Sequence, residues 1–204
     1  DTNVSNRDFA WARLDIPGDK DLWVISVHLL TTSSGNRNAE ASQILNYIAA
    51  QGIPASDYVV LGGDFNTDSR SESCLQTLSA YFVTSGPYPV DQSGNGNTNA
   101  GRSKPYDWVL ADTDFHALRT PVVLGTNSFA NGLVFDSRVY TPLPSPVRAS
   151  DSGASNMQRM AVVRDFLIPT TTVPALPSIY SATSAAGVVG QGFSYQIAAT
   201  NTPL

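Results

Sequence analysis

The sequence has few of the residues that most often form metal sites or covalent cross-links. Among its 204 residues there is one cysteine, Cys74, with two histidines and two glutamates, Glu40 and Glu72. A single cysteine excludes an internal disulfide and a cysteine-based metal cluster, and we expect Cys74 to be a small, half-buried hydrophobic residue. Charged residues make up only 14% of the chain, against about 25% in an average soluble domain. Serine, threonine, asparagine and glycine must therefore cover much of the surface.

Long hydrophobic runs and positive charge are also lacking. No stretch approaches the roughly 20 consecutive apolar residues of a transmembrane helix, so no membrane span is expected, and the opening "DTNVSNRDFA" has no signal-peptide character. The net charge of -5 argues against a broad nucleic-acid-binding surface, which would be basic, and leaves room only for a small cationic site. Because the first residue is Asp1 and not Met, we expect a processed product or a fragment.

The first part of the chain alternates between strand and helix patterns. Phe9 to Ile16 and Leu22 to Leu30 are apolar stretches separated by "PGDKD", which predicts an antiparallel hairpin. Apolar residues at helical spacing predict a helix over Asn38 to Gln51, and the strand "VVL" follows it at Val59. A second helix is expected from Ser71 to Leu78.

The second part contains a long polar loop, two closing strands and a change of composition. The loop, Ser85 to Ser103, delivers the strand "YDWVLAD", and "MAVVRDFLI" is the other closing strand, with "GLVFDSRVY" between them. From Pro169 the composition changes to "PTTTVPALPS", which is typical of an extended linker. We therefore expect one domain over residues 1–168, a Thr/Pro linker over 169–177 and a β segment over 178–204.

Polar side chains follow the apolar strands at the point where those strands end. Asp64 and Asn66 follow "VVLGG" two residues apart, so they point the same way, and His28 ends the strand "WVISVHLL". A carboxylate and an amide at a strand end can bind a divalent cation, activate water or orient a phosphate oxygen. The alternative is structural: Asp64 and Asn66 can also cap a turn, and His28 can be a hydrogen-bonded structural residue.

A further carboxylate, Asp107, stands at the start of an apolar strand between Tyr106 and Trp108. Burying a carboxylate beside two aromatic rings costs several kcal/mol unless it has a partner, so we expect a histidine or another cation next to it. The other histidine, His116, has no comparable neighbours, and we expect it at the surface or in a loop.

Taken in order, the strand ending at His28, "GGDFN", "RSKPYDWVL" and the later "ASDS" form a pattern with a known counterpart. It resembles the C-terminal half of the endonuclease/exonuclease/phosphatase superfamily, the fold of pancreatic-type deoxyribonuclease, sphingomyelinase and inositol phosphatases. The resemblance covers roughly Phe9 to Ile168. It implies an α+β fold, a two-sheet (αββα) sandwich with helices outside, incomplete at the N-terminus.

The resemblance also implies roles for four residues and a cofactor. His28 would contact the scissile phosphate or protonate the leaving group, Asp64 would orient or deprotonate the attacking water, and Asp107 would pair with a histidine. Asn66 would hold the phosphate or the metal. Asp64 and Asn66 would be ligands of a divalent cation, Mg²⁺ first, with Ca²⁺ or Mn²⁺ as alternatives.

The sequence departs from the family pattern in two places. Gln158 and Arg159 stand where the closing aspartate and histidine are expected, and an arginine cannot take up a proton at working pH. We expect Arg159, together with Arg102 and Lys104, to bind the substrate anion. The N-terminal half with its metal-binding glutamate is also missing, and Glu40 and Glu72 do not replace that ligand. Either a second chain, or a second copy in a homodimer, would then complete the fold, or the chain is a divergent remnant.

The tail resembles the first strands of Ig-like repeats in bacterial surface and secreted proteins. Gly187, Gly190 and Gly192 suit tight turns, and Phe193 and Tyr195 alternate with polar neighbours, although a flexible Ala/Gly/Ser-rich tail would look similar. The resemblance implies a secreted or cell-surface bacterial protein.

Three functions remain open on the sequence alone. The first is metal-dependent hydrolysis of a phosphoester in a small molecule, a lipid head group or a nucleic acid, by activated water and with reduced or no activity. The second is a non-catalytic module that binds anions or serves a structural role. The third is hydrolysis of a carboxyl ester or lactone. Because the G-x-S-x-G elbow of serine hydrolases is absent from the sequence, this reaction would depend on a metal-activated water.

Overall fold

The computed structural model describes residues 2–4, 7–169, 178–182, 184–196 and 198. The chain divides into two compact units, Asp1–Ile168 and Pro169–Leu204. The predicted linker, 169–177, lies outside the described residues except for Pro169.

The first unit contains eleven strands, three α-helices and one 3₁₀ helix among the described residues. The strands are β1 Thr2–Val4, β2 Arg7–Asp15, β3 Asp21–His28, β4 Tyr58–Asp64, β5 Asp107–Ala111, β6 Arg119–Thr120, β7 Val122–Leu124, β8 Asn127–Phe129, β9 Leu133–Phe135, β10 Ala161–Val163 and β11 Asp165–Phe166. The helices are α1 Ser34–Ala50, α2 Ser73–Leu78, α3 Thr113–Ala117 and the 3₁₀ helix Asp151–Gly153.

Strands β1 to β5 form one sheet in sequence order. The predicted hairpin is confirmed, because β2 and β3 pair antiparallel. Helix α1 connects β3 to β4, which run parallel, and β5 then pairs antiparallel with β4. The carboxyl ends of β3 and β4 and the amino end of β5 therefore meet at one edge of the sheet.

Both predicted helices exist, with different starting residues. Helix α1 begins at Ser34, earlier than the expected Asn38, because the Ser33 hydroxyl accepts a hydrogen bond from the Asn36 amide at 3.0 Å. It ends before Gly52, whose φ of 62° lies in the left-handed region. Helix α2 begins at Ser73, two residues later than expected.

One face of the sheet packs against α1 and α2. Buried side chains from both layers, such as Ile25 and Leu61 from the sheet and Ile44 from α1, form the main core. Cys74 belongs to this core and is fully buried, not half-buried as expected, and burial raises the pKa of its thiol to about 11. The thiol is therefore a packing group with no thiolate chemistry near neutral pH.

The opposite face of the sheet is only partly covered. Near the start of β4 it packs against α3 and β11, where Tyr58 and Phe115 lie against Phe166. Farther along, Ala10 and Ala12 are exposed and Val24 is half-buried. This uncovered part, here called the open face, leads to the sheet edge where β3 and β4 end.

The remaining strands form three two-stranded sheets, β9 with β10, β6 with β11, and β7 with β8. The predicted closing strand "MAVVRDFLI" is in fact two strands, broken at Arg164, and "GLVFDSRVY" supplies β9. His116 lies half-buried in α3, whereas the sequence predicted a position at the surface or in a loop. Helices packed outside sheets confirm the predicted α+β class.

The second unit has no strand or α-helix among its described residues. The backbone N–H groups of Tyr180 and Ser181 both donate to the carbonyl of Ala198, at 3.0 and 3.2 Å. The predicted Ig-like segment stays a prediction.

Candidate functional site

Three predicted site residues lie side by side at one edge of the main sheet. In the parallel pair, His28 at the end of β3 is opposite Asp64 at the end of β4. In the antiparallel pair, Asp64 is opposite Asp107, the first residue of β5. His28 Nε2 lies 3.6 Å from Asp64 Oδ2. The register of two strand pairs thus brings together residues that are 36 and 43 positions apart in sequence.

The chain can reach this arrangement only because residue 63 is a glycine. Gly63 has a φ of 142°, and a Cβ there would lie 1.9 Å from the carbonyl oxygen of Val27 on the neighbouring strand. Any side chain would push β3 and β4 apart immediately before Asp64. The second glycine of "GGDFN" therefore has a steric function.

A tight turn after β4 orients Asp64 and Asn66. The Asn66 amide N–H donates to Asp64 Oδ1 at 2.9 Å, and Asn66 has a φ of 51°, which asparagine tolerates better than most residues. The side-chain Nδ2 of Asn66 donates to the carbonyl of Leu29 at 2.8 Å. Asp64 Oδ2 and Asn66 Oδ1 are thus left to face the site. Both hypotheses from the sequence are compatible with this turn, because one oxygen or nitrogen of each side chain caps backbone groups and the remaining oxygen faces the site.

Arg159 enters the site from the segment just before β10. Its Nε and Nη2 donate to Asp64 Oδ2 at 2.9 and 2.5 Å, and Nη2 also donates to Asn66 Oδ1 at 3.0 Å. Its Cζ lies 4.4 Å from the centre of the Tyr106 ring, a cation–π contact. The position at which the resemblance implies a histidine therefore carries a guanidinium bound to the site oxygens.

The Asp107 carboxylate is incompletely paired. Its nearest cation is Arg159, with 3.6 Å between Nε and Asp107 Oδ2, whereas the resemblance implied a histidine partner. Among the described residues, Oδ2 is buried and accepts no hydrogen bond. Burial raises the pKa of Asp107 to about 6, the charge of Asp64 adds to this, and Thr98 and Arg159 oppose it. Asp107 can therefore hold or release a proton near neutral pH.

His28 lies at the mouth of the site with 53% of its side chain exposed. Burial of the ring and the positive charge of Arg7 lower its pKa below the ordinary value, while Asp64 acts in the opposite direction. The imidazole is therefore mainly neutral at pH 7 and can both donate and accept a hydrogen bond.

The two other predicted cationic residues have different positions. Lys104 lies at the site, because its Nζ pairs with Asp68 at 2.5 Å and is 5.9 Å from the centre of the Tyr106 ring that Arg159 also contacts. Arg102 pairs instead with Asp91 and with Asp136, the latter at 3.0 Å. Its guanidinium fastens the 85–103 loop and is not brought to Asp64.

The site opens into a groove of about 390 Å³. Polar side chains of Asp64, Asp107 and Arg159 line one part of it, and Val109, Ala161 and Val162 line another. The groove can therefore take a charged group at one end and an apolar group beside it.

The metal ligands predicted from the resemblance fit a hard cation in their chemistry. Carboxylate and amide oxygens, as on Asp64 and Asn66, are the ligands that Mg²⁺ prefers. In the part of the chain that the structure describes, no three His, Cys, Asp or Glu residues group in a way that could hold a metal ion. Glu40 is fully buried, with Oε2 accepting from the Leu30 amide, and Glu72 pairs with Arg37.

Sequence reasoning missed two contributors to the site. Tyr106 supplies the ring on which Arg159 rests, and the Thr98 hydroxyl accepts a 2.8 Å hydrogen bond from the Asp107 amide. Tyr106 directly precedes Asp107, and the sequence shows only its aromatic character there. Thr98 lies inside the polar loop, where no pattern distinguishes it.

Comparison with known proteins agrees with the motifs. The model of the "Endonuclease/Exonuclease/phosphatase family" matches residues 2–151, about three quarters of the chain. This chain belongs to that family. The match confirms the predicted family and its αββα fold class, and it ends before Arg159. No curated protein sequence matches the chain.

Several solved structures are similar to this chain at low sequence identity. Sphingomyelinase C from Streptomyces griseocarneus is 20% identical, with 62% of this chain and 54% of that chain covered and a TM-score of 0.41. A Staphylococcus aureus beta toxin mutant with bound magnesium ions is 12% identical, with 62% and 53% covered and a TM-score of 0.41. A mannosyl-6-phosphatase from Bacteroides thetaiotaomicron is 12% identical, with 62% and 61% covered and a TM-score of 0.41.

The present chain spans about half the length of several of the solved structures it matches. Within the described ranges, no helix is long and apolar enough to cross a membrane.

Proposed function

We propose that the chain provides catalytic residues for metal-dependent hydrolysis of a phosphoester by activated water. The observation that carries this proposal is the row of His28, Asp64 and Asp107 across three strands, with Asn66 fixed beside it, in a member of a hydrolase family. The overall net charge of -5 favours a small or lipid phosphoester over long DNA as substrate.

The residues take different roles in this proposal. Asp64 Oδ2 orients and accepts a proton from the attacking water, and the neutral His28 donates a hydrogen bond to a phosphate oxygen or to the leaving group. Asn66 Oδ1 and Asp64 are the groups that would hold the divalent cation, with Mg²⁺ first and Ca²⁺ or Mn²⁺ as alternatives. A bound divalent cation supplies charge stabilisation for the phosphoryl oxygens and lowers the pKa of water. Lys104 attracts the anionic substrate.

A second candidate, an anion-binding module without catalysis, is favoured by one observation. Arg159 already donates three hydrogen bonds to Asp64 and Asn66, and an arginine cannot act as a general base. If the family's closing base is replaced by Arg159, the expected loss of rate is about 10²- to 10⁴-fold.

Two further expectations remain proposals. A second chain, or a second copy of this chain, would complete the sandwich by covering the open face, where Ala10, Ala12 and Val24 lie. Export to a bacterial cell surface or medium rests on the likeness of the tail to Ig-like repeats.

The test is hydrolysis of bis-p-nitrophenyl phosphate with Mg²⁺, Mn²⁺, Ca²⁺ or EDTA, for the unaltered chain, Asp64→Ala and Arg159→His. We expect metal-dependent turnover that falls about 10²- to 10⁴-fold in Asp64→Ala and rises in Arg159→His. Absence of turnover in all three, with sulfate binding that persists in EDTA, would favour the anion-binding module instead.

A further inference from the structure

We infer that Arg159 is a built-in competitor of the divalent cation at Asp64 and Asn66. The inference rests on the proposed function, because it assumes that these oxygens accept a cation at all. In the structure the guanidinium donates twice to Asp64 Oδ2 and once to Asn66 Oδ1. These two oxygens are the ones left facing the site, so a metal ion and the guanidinium need the same acceptors.

The two acceptors cannot turn away to serve both cations at once. Asp64 Oδ1 is held by the Asn66 amide, and Asn66 Nδ2 is held by the carbonyl of Leu29. The side chains are therefore fixed with Oδ2 and Oδ1 toward Arg159. Since a carboxylate oxygen already bound to a guanidinium is a poorer ligand, a cation must first displace those hydrogen bonds.

Arg159 can leave Asp64 without losing all of its contacts. Its side chain is 29% exposed, its aromatic contact is with the ring face of Tyr106, and its Nη1 donates to the backbone carbonyl of Gln158 at 3.2 Å. A guanidinium that leaves Asp64 therefore keeps a ring and a carbonyl to contact. Arg102 offers the contrast, because its side chain is 12% exposed between carboxylates that are 3% and 2% exposed.

Release of the guanidinium has a second effect. When the guanidinium of Arg159 no longer neutralises Asp64, its positive charge is available to an anion in the groove that these residues line together with Asp107. The predicted role of Arg159 as a substrate-binding residue would then apply only to the cation-loaded site. The arginine thus couples cation binding to anion binding at one place.

The test measures cation binding and not turnover. Mn²⁺ is titrated into the full chain by calorimetry, with free Mn²⁺ counted by electron paramagnetic resonance, for the unaltered protein and for Arg159→Met. Methionine keeps an apolar stem against Tyr106 while removing the charge. Arg159→Gln serves as a second variant if the first does not fold. Lys104→Ala is the matched control, because it removes a positive charge beside the same ring without freeing Asp64.

We expect Arg159→Met to bind Mn²⁺ at least about tenfold more tightly, the size expected for losing a competitor held by charge-assisted hydrogen bonds. Lys104→Ala should change the affinity less than about threefold, because exposed charges are screened. Adding Asp64→Ala to Arg159→Met should remove the gain.

Equal or weaker Mn²⁺ binding by Arg159→Met, or an equal gain in Lys104→Ala, would overturn the inference. Failure of the proposed function is distinguishable, because it would be seen as tight Mn²⁺ binding without hydrolysis in any variant.

Discussion

Two arginines of this chain each face a pair of aspartates, and they are held in different ways. Arg102 lies between Asp91 and Asp136, both almost fully buried. Asp136 also accepts three hydrogen bonds from Arg138, at 3.0, 2.8 and 2.7 Å. Asp91 accepts from the Ser93 amide and hydroxyl and from the Asn95 amide.

Arg159 lies between Asp64 and Asp107, and here the pairing is incomplete. Asp107 Oδ2 is buried, accepts no hydrogen bond from a described residue and is 3.6 Å from Arg159 Nε. The pKa values differ accordingly. Burial acts to raise the pKa of Asp136, but the bonds from Arg138 outweigh it and the pKa is lowered, whereas the pKa of Asp107 rises to about 6. Carboxylates with several hydrogen-bond donors, such as Asp91 and Asp136, fix a loop, whereas the incompletely paired Asp107 is a carboxyl group that can exchange protons or partners.

The largest effect is expected from removing a carboxylate of the Arg102 cluster. Asp136→Ala leaves Arg102 and Arg138 without their shared carboxylate, and removal of one partner from a buried ion pair costs about 3 to 5 kcal/mol. We expect a loss of about 3 kcal/mol in the free energy of unfolding, measured by urea denaturation. Asp64→Ala is the matched truncation at the other cluster and should lose less free energy of unfolding, because Arg159 is 29% exposed and keeps its contact with the Tyr106 ring. Similar losses in both variants would contradict the distinction.

A smaller effect should appear in the pH dependence of Asp107. Its folded pKa of about 6 is above the ordinary value, so its contribution to stability is complete below about pH 4 and is lost as pH rises through 6. Asp107→Asn does not ionise. Urea denaturation at pH 4 and pH 7 should therefore show the variant gaining about 1 to 2 kcal/mol relative to the unaltered chain, after allowance for solvent screening.

Asp136→Asn should change the pH dependence of stability in the opposite direction to Asp107→Asn. Because the folded pKa of Asp136 is lowered, its contribution is present above the unfolded pKa of about 3.9 and is lost as pH falls below it. The unaltered chain should lose more stability below pH 4 than this variant. The same sign at both positions would show that the two clusters do not differ as described.

The smallest effect concerns the exposed pair of Lys104 and Asp68. Lys104→Ala should leave the midpoint of thermal unfolding unchanged, because exposed ion pairs contribute little. The KM for an anionic substrate should rise about twofold at low salt and not at about 0.5 M salt, where surface charges are screened. A lasting increase in KM at high salt would indicate direct contact with the substrate.

The local elements of the fold were largely predictable from the sequence. Alternating apolar residues predicted β2 and β3, helical spacing predicted α1, and "GGDFN" located Asp64 and Asn66. The short elements were missed, because β1 and α3 have three and five residues and are stabilised by pairing with β2 and by the cap of Asp112. Patterns of that length carry little periodicity.

The cationic side of the site was less predictable. Arg102 and Lys104 are two residues apart in a loop without periodicity, and only the fold directs one to Asp136 and the other to Asp68. Nothing in the sequence pairs Arg159 with Asp64, 95 positions away. Long-range ion pairs depend on how loops close over the sheet, which residue spacing does not encode.

The backbone bonds beyond the end of β4 bear on the order in which the site forms. The Leu29 amide donates to the carbonyl of Asp64 at 2.8 Å, and the Phe65 amide donates to the carbonyl of Tyr106 at 2.7 Å. Three segments distant in sequence must therefore be in place before Asp64 and Asn66 are held. Phe65 is fully buried, so its amide hydrogen belongs with those that exchange with solvent only when the whole domain opens. We therefore expect the turn that carries Asp64 and Asn66 to open only together with the rest of the domain.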